Sequence, residues 1–423
     1  MKRHNKYLVV LLLLLSSSQL TAQSTWKHQN SGVDFDLKAV DFIDPQEGIA
    51  VGMFGTILHT LDGGTTWTKI DLGINNALND VQYVNRHRII IGGDQGLIIY
   101  SPDGGKSWET VQQGNQEYNI YAIAVDGFSG NGIAGGSGNT VLWSNDYGLN
   151  WTYIDGGFVN NYHCACMAGG EFGAVIGRNA IFEPLAAYTS DSGQTWDTFD
   201  FYPTLNNVAY ESTVYGCHFF TPDDGFTVGT TFDAGGFITT NPDWNSQYWE
   251  AQIFPGIMFF GIDFINNSYG VVVGGDYNVT TYIYETYNGG INWEPANIHS
   301  DGNTMLDVSL VGNTGYAVGT FGEILKMEIA SVIPDKISQP YRLYNYPNPT
   351  QNHTEIFLEL GQSENIRLVV FDINGKEVEE LYDGFLTRGS HSFSFDTQRL
   401  SPGLYYLVSV HKVGGNLTLS WSV

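Results

Sequence analysis

Short apolar runs separated by glycine-rich and polar turns recur along most of this chain in a fixed order. Each unit opens with two apolar residues at i and i+2: Val40/Phe42, Val81/Tyr83, Ile123/Val125, Ala165/Met167, Cys217/Phe219, Ile262/Phe264 and Val308/Leu310. A glycine-bounded run of the "GIAVG" kind follows, at 48–52, 89–93, 132–136, 173–177, 225–229, 270–274 and 315–319. Period-two alternation predicts half-buried strands, and short continuous apolar runs predict strands covered on both faces. A third strand then leads into a turn of the form Ser/Thr-x-Asp-x-Gly-x-x-Trp, intact at Thr60–Trp67, Ser101–Trp108, Ser144–Trp151 and Thr189–Trp196. Asn288 replaces the Asp at Thr286–Trp293, and a worn copy ends at Trp249.

The chemistry of this turn predicts a structural role. Asp62, Asp103, Asp146 and Asp191 can accept hydrogen bonds from backbone N–H groups, and Gly supplies a positive φ. Trp67, Trp108, Trp151, Trp196 and Trp293 can fill the space beneath. Successive Trp residues lie from 41 positions apart (Trp67 to Trp108) to 53 apart (Trp196 to Trp249), the length of a four-stranded propeller blade. The seventh unit stops at "GEILKMEIA" without a Trp-led strand, while one such strand, "WKHQNSG" at Trp26, stands alone near the start. The predicted fold is therefore all-β: a seven-bladed β-propeller over 23–330, closed by the N-terminal strand so that no sheet edge is left bare.

Both ends differ from the repeats. Lys2, Arg3 and Lys6 precede "YLVVLLLLL" and then "SSSQLTA", which reads as an export signal over 1–22, too short to span a bilayer. Past a linker at 331–340, residues 341–423 alternate apolar and polar positions between Gly and Asn turns, enough for a small β-sandwich. With no transmembrane segment in the mature chain, the expected location is outside the cell or on its surface.

Two resemblances sharpen this reading. The repeated turns resemble the Asp boxes of sialidases, and the "G-Y-A-V-G … G-x-I-L-x-T-x-D-G-G-x-x-W" spacing is similar to the photosystem II assembly-factor family of single propellers. In the tail, Asn345-Tyr346-Pro347-Asn348-Pro349, Asp372-x-Asn374-Gly375-Lys376 and Leu400-Ser401-Pro402-Gly403-Leu404-Tyr405 resemble the C-terminal sorting domain of type IX secretion substrates. That resemblance implies the type IX machinery as a partner and removal of the tail on export, although "NLTLSWSV" lacks a basic residue usual near the end.

Charge narrows the activities. Residues 23–339 hold nine Lys or Arg against 35 Asp or Glu, a surface that repels nucleic acid and anionic lipid. Sialidase chemistry converges several arginines on one carboxylate. The propeller has only Arg86, Arg88 and Arg178, the first two in a hairpin on the face opposite the usual site. Glycoside hydrolysis needs two acids within about 5 to 10 Å, and Asp94, Asp233, Asp276 and Asp301 fall on different blades. A glycan-active hydrolase is thus the alternative to a binding module, and an assembly-factor-like protein-binding propeller is a second alternative.

Cys164, Cys166 and Cys217 are too few for a disulfide scaffold. Cys166 and His218 occupy equivalent inner-strand positions in a column with Asp41, Gln82 and Asp263, but no Cys-x-x-Cys spacing supports a metal, and ordinary buried residues are the commoner explanation. No cofactor is expected. The loops predicted on one rim are rich in amide and aromatic side chains, which hydrogen-bond and stack on neutral sugars or extended peptides. Asn75, Asn76, Gln116, Tyr118, Asn160, Asn161, Tyr162 and Tyr210 come from loops between blades, with Asp94, Arg178, Asp276 and Tyr277 from loops after the second strands. Asn and Gly are also ordinary turn residues. A neutral glycan or a protein is the expected ligand.

Overall fold

The computed structural model describes residues 24–113, 118–154, 160–179, 183–206, 208–240, 246–299, 302–328, 342–346, 353–360, 364–372, 376–386, 389–400, 405–413 and 416–422. The expected export signal and linker lie outside them. Seven sheets form the seven blades, each with an antiparallel four-stranded core built from the inside outward. In the first blade the order is Leu37–Phe42, Gly48–Gly52, Ile57–Thr60 and Thr68–Ile70. The i/i+2 apolar pairs lie on the innermost strands, and the glycine-bounded runs form the second strands, whose residues are almost all buried. Their glycines let neighbouring chains pass closely: a Cβ on Gly52 would lie 2.1 Å from the Asp36 carbonyl oxygen.

Ring closure follows the expected route. The strand Thr25–Gln29 is the fourth strand of the last blade, pairing antiparallel with Ile324–Glu328 through Lys27 and Lys326, His28 and Leu325, and Gln29 and Ile324. Trp26 is wholly buried beside Tyr269, Val271, Met305 and Leu325.

Two blades exceed four strands. In the last, Asn297–His299 pairs parallel to Thr25–Gln29. In the fifth, Tyr202–Leu205 and Val208–Ala209 extend the sheet beyond its outer strand, Tyr248–Phe254. Each addition pairs a strand that would otherwise leave its outer backbone groups bare. The worn repeat sits here, with Trp249 buried and stacked on Phe201 at a centroid distance of 4.0 Å.

The tail contains a three-stranded and a four-stranded sheet. Ile356, Leu358 and Phe395 of one share an apolar core with Ile366, Leu368 and Val370 of the other.

Candidate functional site: the channel mouth

All seven innermost strands carry an irregularity near their start, where one residue drops out of the register with the second strand. The residue before it is always a large apolar side chain in the core: Leu37, Leu78, Ile120, Tyr162, Val214, Phe259 and Met305. The residue at the bulge is Lys38, Asn79, Tyr121, His163, Tyr215, Phe260 or Leu306. A bulge re-aims its side chain, and here all seven line the central cavity of about 460 Å³ at the end where the inter-blade loops emerge.

The resulting ring is asymmetric. Tyr121 stacks on His163 at 5.4 Å, His163 meets Tyr215 at 5.4 Å, and Tyr215 meets Phe260 at 5.1 Å, giving an aromatic arc over four consecutive blades. On the other side, Lys38 Nζ donates to Asn79 Oδ1 at 2.7 Å. Burial, followed by the charge of Arg178, pushes the His163 imidazole down to about 4, so this ring is neutral at physiological pH. An arc of neutral rings beside one cation and one amide can stack on a flat or apolar group while hydrogen-bonding its edge.

Carboxylates stitch the wall beneath. Asp80 accepts from Ile123 N at 2.6 Å, and Asp307 accepts from Val40 N at 2.9 Å, each across a blade seam. One step deeper, Asp41 accepts from Tyr83 N at 2.6 Å, Gln82 from Val125 N at 2.7 Å and Asp263 from Leu310 N at 2.7 Å. Depth within the molecule raises Asp41 to about 6 and Asp80 to about 7, and raises Asp307 well above the usual carboxylate range, in spite of the backbone donors. These side chains nevertheless keep partial exposure to the channel, so water moderates the cost.

The column containing Cys166 and His218 resolves into separate pairings. His218 Nδ1 lies 3.0 Å from Asp263 Oδ1, whereas Cys166 Sγ donates to the Ala174 carbonyl at 3.6 Å. Among the described residues no group of three or more His, Cys, Asp or Glu side chains is arranged to hold a metal ion.

The rim residues chosen from sequence have mixed fates. Asn76 Nδ2 donates to the Asp94 carbonyl at 3.0 Å, and Asp94 Oδ1 accepts from Asn79 at 2.9 Å, joining two adjacent loops to the mouth ring. Asn75 is exposed beside them. Asn161 Oδ1 accepts from Gly138 N at 3.3 Å, and Tyr118 lies against Gly138. Arg178 pairs opposite Asn161 across the first two strands of the fourth blade, and Tyr277 is 91% exposed. Asp276 is committed to its own loop, accepting from Asn278 N at 2.8 Å and Thr280 N at 2.9 Å. Tyr210 closes the extra hairpin of the fifth blade through its backbone. Gln116 and the Asn160 side chain lie outside the described residues.

Tyr162 corrects the sequence reading. It is fully buried and cannot meet a rim ligand. Its place is that of Leu37, Leu78 and Ile120, one residue before the bulge, where the side chain faces the seam between blades. The channel-facing residue is His163, which the loop composition did not suggest.

Also unanticipated are Phe54 and Phe321, 54% and 64% exposed in equivalent loops after the second strands, and Phe35 packed edge-on against Phe54 at 4.8 Å. Phe54 and Phe321 both have φ +56°, a conformation that disfavours non-glycine side chains. The shared "G-x-F-G" spelling of "GMFG" and "GTFG" was the available signal.

The Asp-box turns lie at the opposite end. Their backbone binds the hairpin between first and second strands, as in Gly104 N to His87 O at 2.8 Å. That end also holds Arg86, paired with Asp44 and Glu47 at 2.5 and 2.8 Å, and Arg88, 4.5 Å from the Tyr147 ring centroid. In the second blade Asp103 accepts from Ser107 N and Ser107 Oγ, both at 2.7 Å, while Ser101 Oγ accepts from Gly105 N at 2.7 Å. Trp108 Nε1 returns to the Gly105 carbonyl at 3.1 Å. Asp62, Asp146, Asp191 and Asn288 hold their own turns by the same side chain to backbone bond. The acceptors are thus occupied within the turn. Replacing buried Ser101 by Ala is expected to cost about 1–3 kcal/mol by stranding the Gly105 N–H, read as a lower urea midpoint with ligand affinity at the mouth unchanged.

Fold and mouth together define a closed seven-bladed propeller with an axial cavity. The family described as photosynthesis system II assembly factor YCF48 matches residues 18–117 and 65–158 of this chain. Residues 345–418 match the secretion system C-terminal sorting domain. Among solved structures, "YCF48 bound to D1 peptide" is 16% identical with a TM-score of 0.55, covering 71% of this chain and 96% of that one. YCF48 from Cyanidioschyzon merolae is also 16% identical with a TM-score of 0.55, covering 72% and 98%. The WD40 propeller domain of Doa1 is 14% identical with a TM-score of 0.53, covering 71% and 97%. No curated protein sequence matches significantly. The sorting domain implies export by type IX secretion to the cell surface or beyond, and no helix among the described residues is long and apolar enough to cross a membrane.

Proposed function

We propose that this protein is an exported binding module that receives an extended protein segment at the channel mouth, with its C-terminal domain serving the type IX machinery and being removed on export. The aromatic arc Tyr121–His163–Tyr215–Phe260 carries the reading, because seven bulges turn side chains of six kinds toward one cavity. Half-buried rings facing a cavity are rigid contact groups that lose little entropy on binding. Exposed Phe35, Phe54 and Phe321 extend the apolar surface outward over the last and first blades. A peptide ligand also agrees with the solved YCF48 propeller bound to D1 peptide.

Stacked rings and rim amides also suit a neutral glycan, which is the second reading. Screening the full chain against a peptide library and a neutral glycan array, with hydrolysis assayed in parallel, separates them. Tyr121→Ala or Phe260→Ala is expected to weaken binding about tenfold or more, with little salt dependence and an unchanged fold. Binding that survives both substitutions, or hydrolysis lost on changing Asp80 or Asp307, would overturn the proposal, the latter in favour of a glycan-active enzyme.

A further inference from the structure

Three thiols meet at the seam between the fourth and fifth blades. Cys164 and Cys166 are buried, two positions apart on one inner strand, and both contribute to the apolar cluster that packs against Val214 and Phe219 of the next inner strand. Cys217, on that next strand, packs against the same cluster. Innermost strands pass each other closely in this propeller: at the next seam, a Cβ on Gly216 would lie 3.4 Å from the Gly261 Cα. Cys164 and Cys217 line the axial cavity; Cys166 does not.

We propose that Cys164 and Cys217 form an inter-blade disulfide on export, making this seam a covalent staple reached through the channel mouth. Facing inner strands bring both side chains to one apolar cluster and one cavity wall, the proximity such a bond needs, and an exported chain leaves the reducing cytoplasm. The oxidant is a disulfide of the export compartment, either a small-molecule or a protein disulfide small enough at its tip to enter the cavity. The Cys217 thiolate attacks one sulfur of that disulfide, forming a mixed disulfide and releasing one reduced thiol. The Cys164 thiolate then attacks the Cys217 sulfur, forming the Cys164–Cys217 bond and expelling the second thiol. Two protein thiols are oxidised, one disulfide is reduced, and the two protons pass to the released thiols.

Burial raises the Cys164 and Cys217 thiols above the usual range, so the thiolate fraction is small and the exchange speeds up as pH rises from 7 to 9. Cys166 shares the cluster but not the channel. It therefore remains the reduced thiol of the three.

The test uses the full chain, treated with oxidised glutathione across that pH range, acid-quenched, alkylated and mapped by peptide mass. A Cys164–Cys217 peptide pair with alkylated Cys166 is expected, together with a melting temperature several degrees above that of the reduced protein. Cys164→Ser or Cys217→Ser should abolish that rise, and Cys166→Ser should retain it. Three alkylated cysteines after oxidation, or linkage through Cys166, would overturn the proposal. Because binding at the mouth is scored separately, failure here leaves the ligand reading standing.

Discussion

Removing residues 24–33 is expected to leave a propeller that does not close, seen as aggregation on size exclusion and loss of the cooperative melt. The segment completes the last blade between Ile324–Glu328 and Asn297–His299, so its loss exposes the unpaired edge of Ile324–Glu328. It also removes partners of a buried charge. Glu285, on the sixth blade, is 1% exposed and accepts from Ser24 Oγ, from Trp26 Nε1 at 3.1 Å and from Tyr287 OH at 2.6 Å. Two of these three donors belong to the N-terminal segment. Stranding a buried acid and emptying the Trp26 site act in the same direction. The single change Trp26→Ala should cost about 3–5 kcal/mol, measured by denaturant unfolding. A truncated chain that melts at the same temperature as the intact one would refute ring closure as the source of stability.

Stability should also fall as pH rises from about 4 to 8, the opposite of the usual carboxylate effect. Asp80 is raised to about 7 from 3.8, so between those values the folded state binds more protons than the unfolded state. The penalty is absent below the lower value and fully present above the higher one. Asp80 faces the Asp307 and Asp41 carboxylates, with Asp263, His218, His163, Cys164, Cys217 and Lys38 also around the cavity. Asp80→Asn keeps an acceptor for the seam N–H and removes the charge. It should stabilise the protein by about 2 kcal/mol at pH 8 and by almost nothing at pH 4.5, roughly half of what the full shift implies, because channel water reaches the group. Parallel urea titrations of both proteins at the two pH values provide the measurement; equal stability at pH 8 would remove the argument. The Asp boxes run the other way. The Thr66 backbone N–H and hydroxyl hold Asp62 below the usual range, so its contribution is lost only as pH falls through that depressed value.

The repeats were readable because most blades spell the same local chemistry. An i/i+2 apolar pair, a glycine-bounded strand and a self-satisfied Asp turn each report on neighbours a few residues away. The lone Trp26 strand could be assigned by counting, since the seventh unit lacked a partner of that kind. The mouth could not be found in this way. Lys38, Asn79, Tyr121, His163, Tyr215, Phe260 and Leu306 share a position but no chemical character, so no motif marks them.

Tyr162 shows the same limit from the other side. It stands in an Asn-rich stretch that resembles a loop, "NNYH", yet the strand has already begun at Asn160, and alternation sends Tyr162 into the seam and His163 to the channel. One register step decides between core and site.

The amino-acid sequence determined the number of blades, the order of strands within each, the closing strand and the compositionally separate tail, because these depend on local periodicity and turn chemistry. Only the tertiary structure decided which side chains converge: closing the ring carries seven bulged positions, spread from Lys38 to Leu306 along the chain, to one mouth. It also decided that Cys217 and Cys164 share one cavity wall and that Asp80 becomes a reluctant acid. Contact and burial across blade seams are properties of the closed ring, and no single repeat contains them.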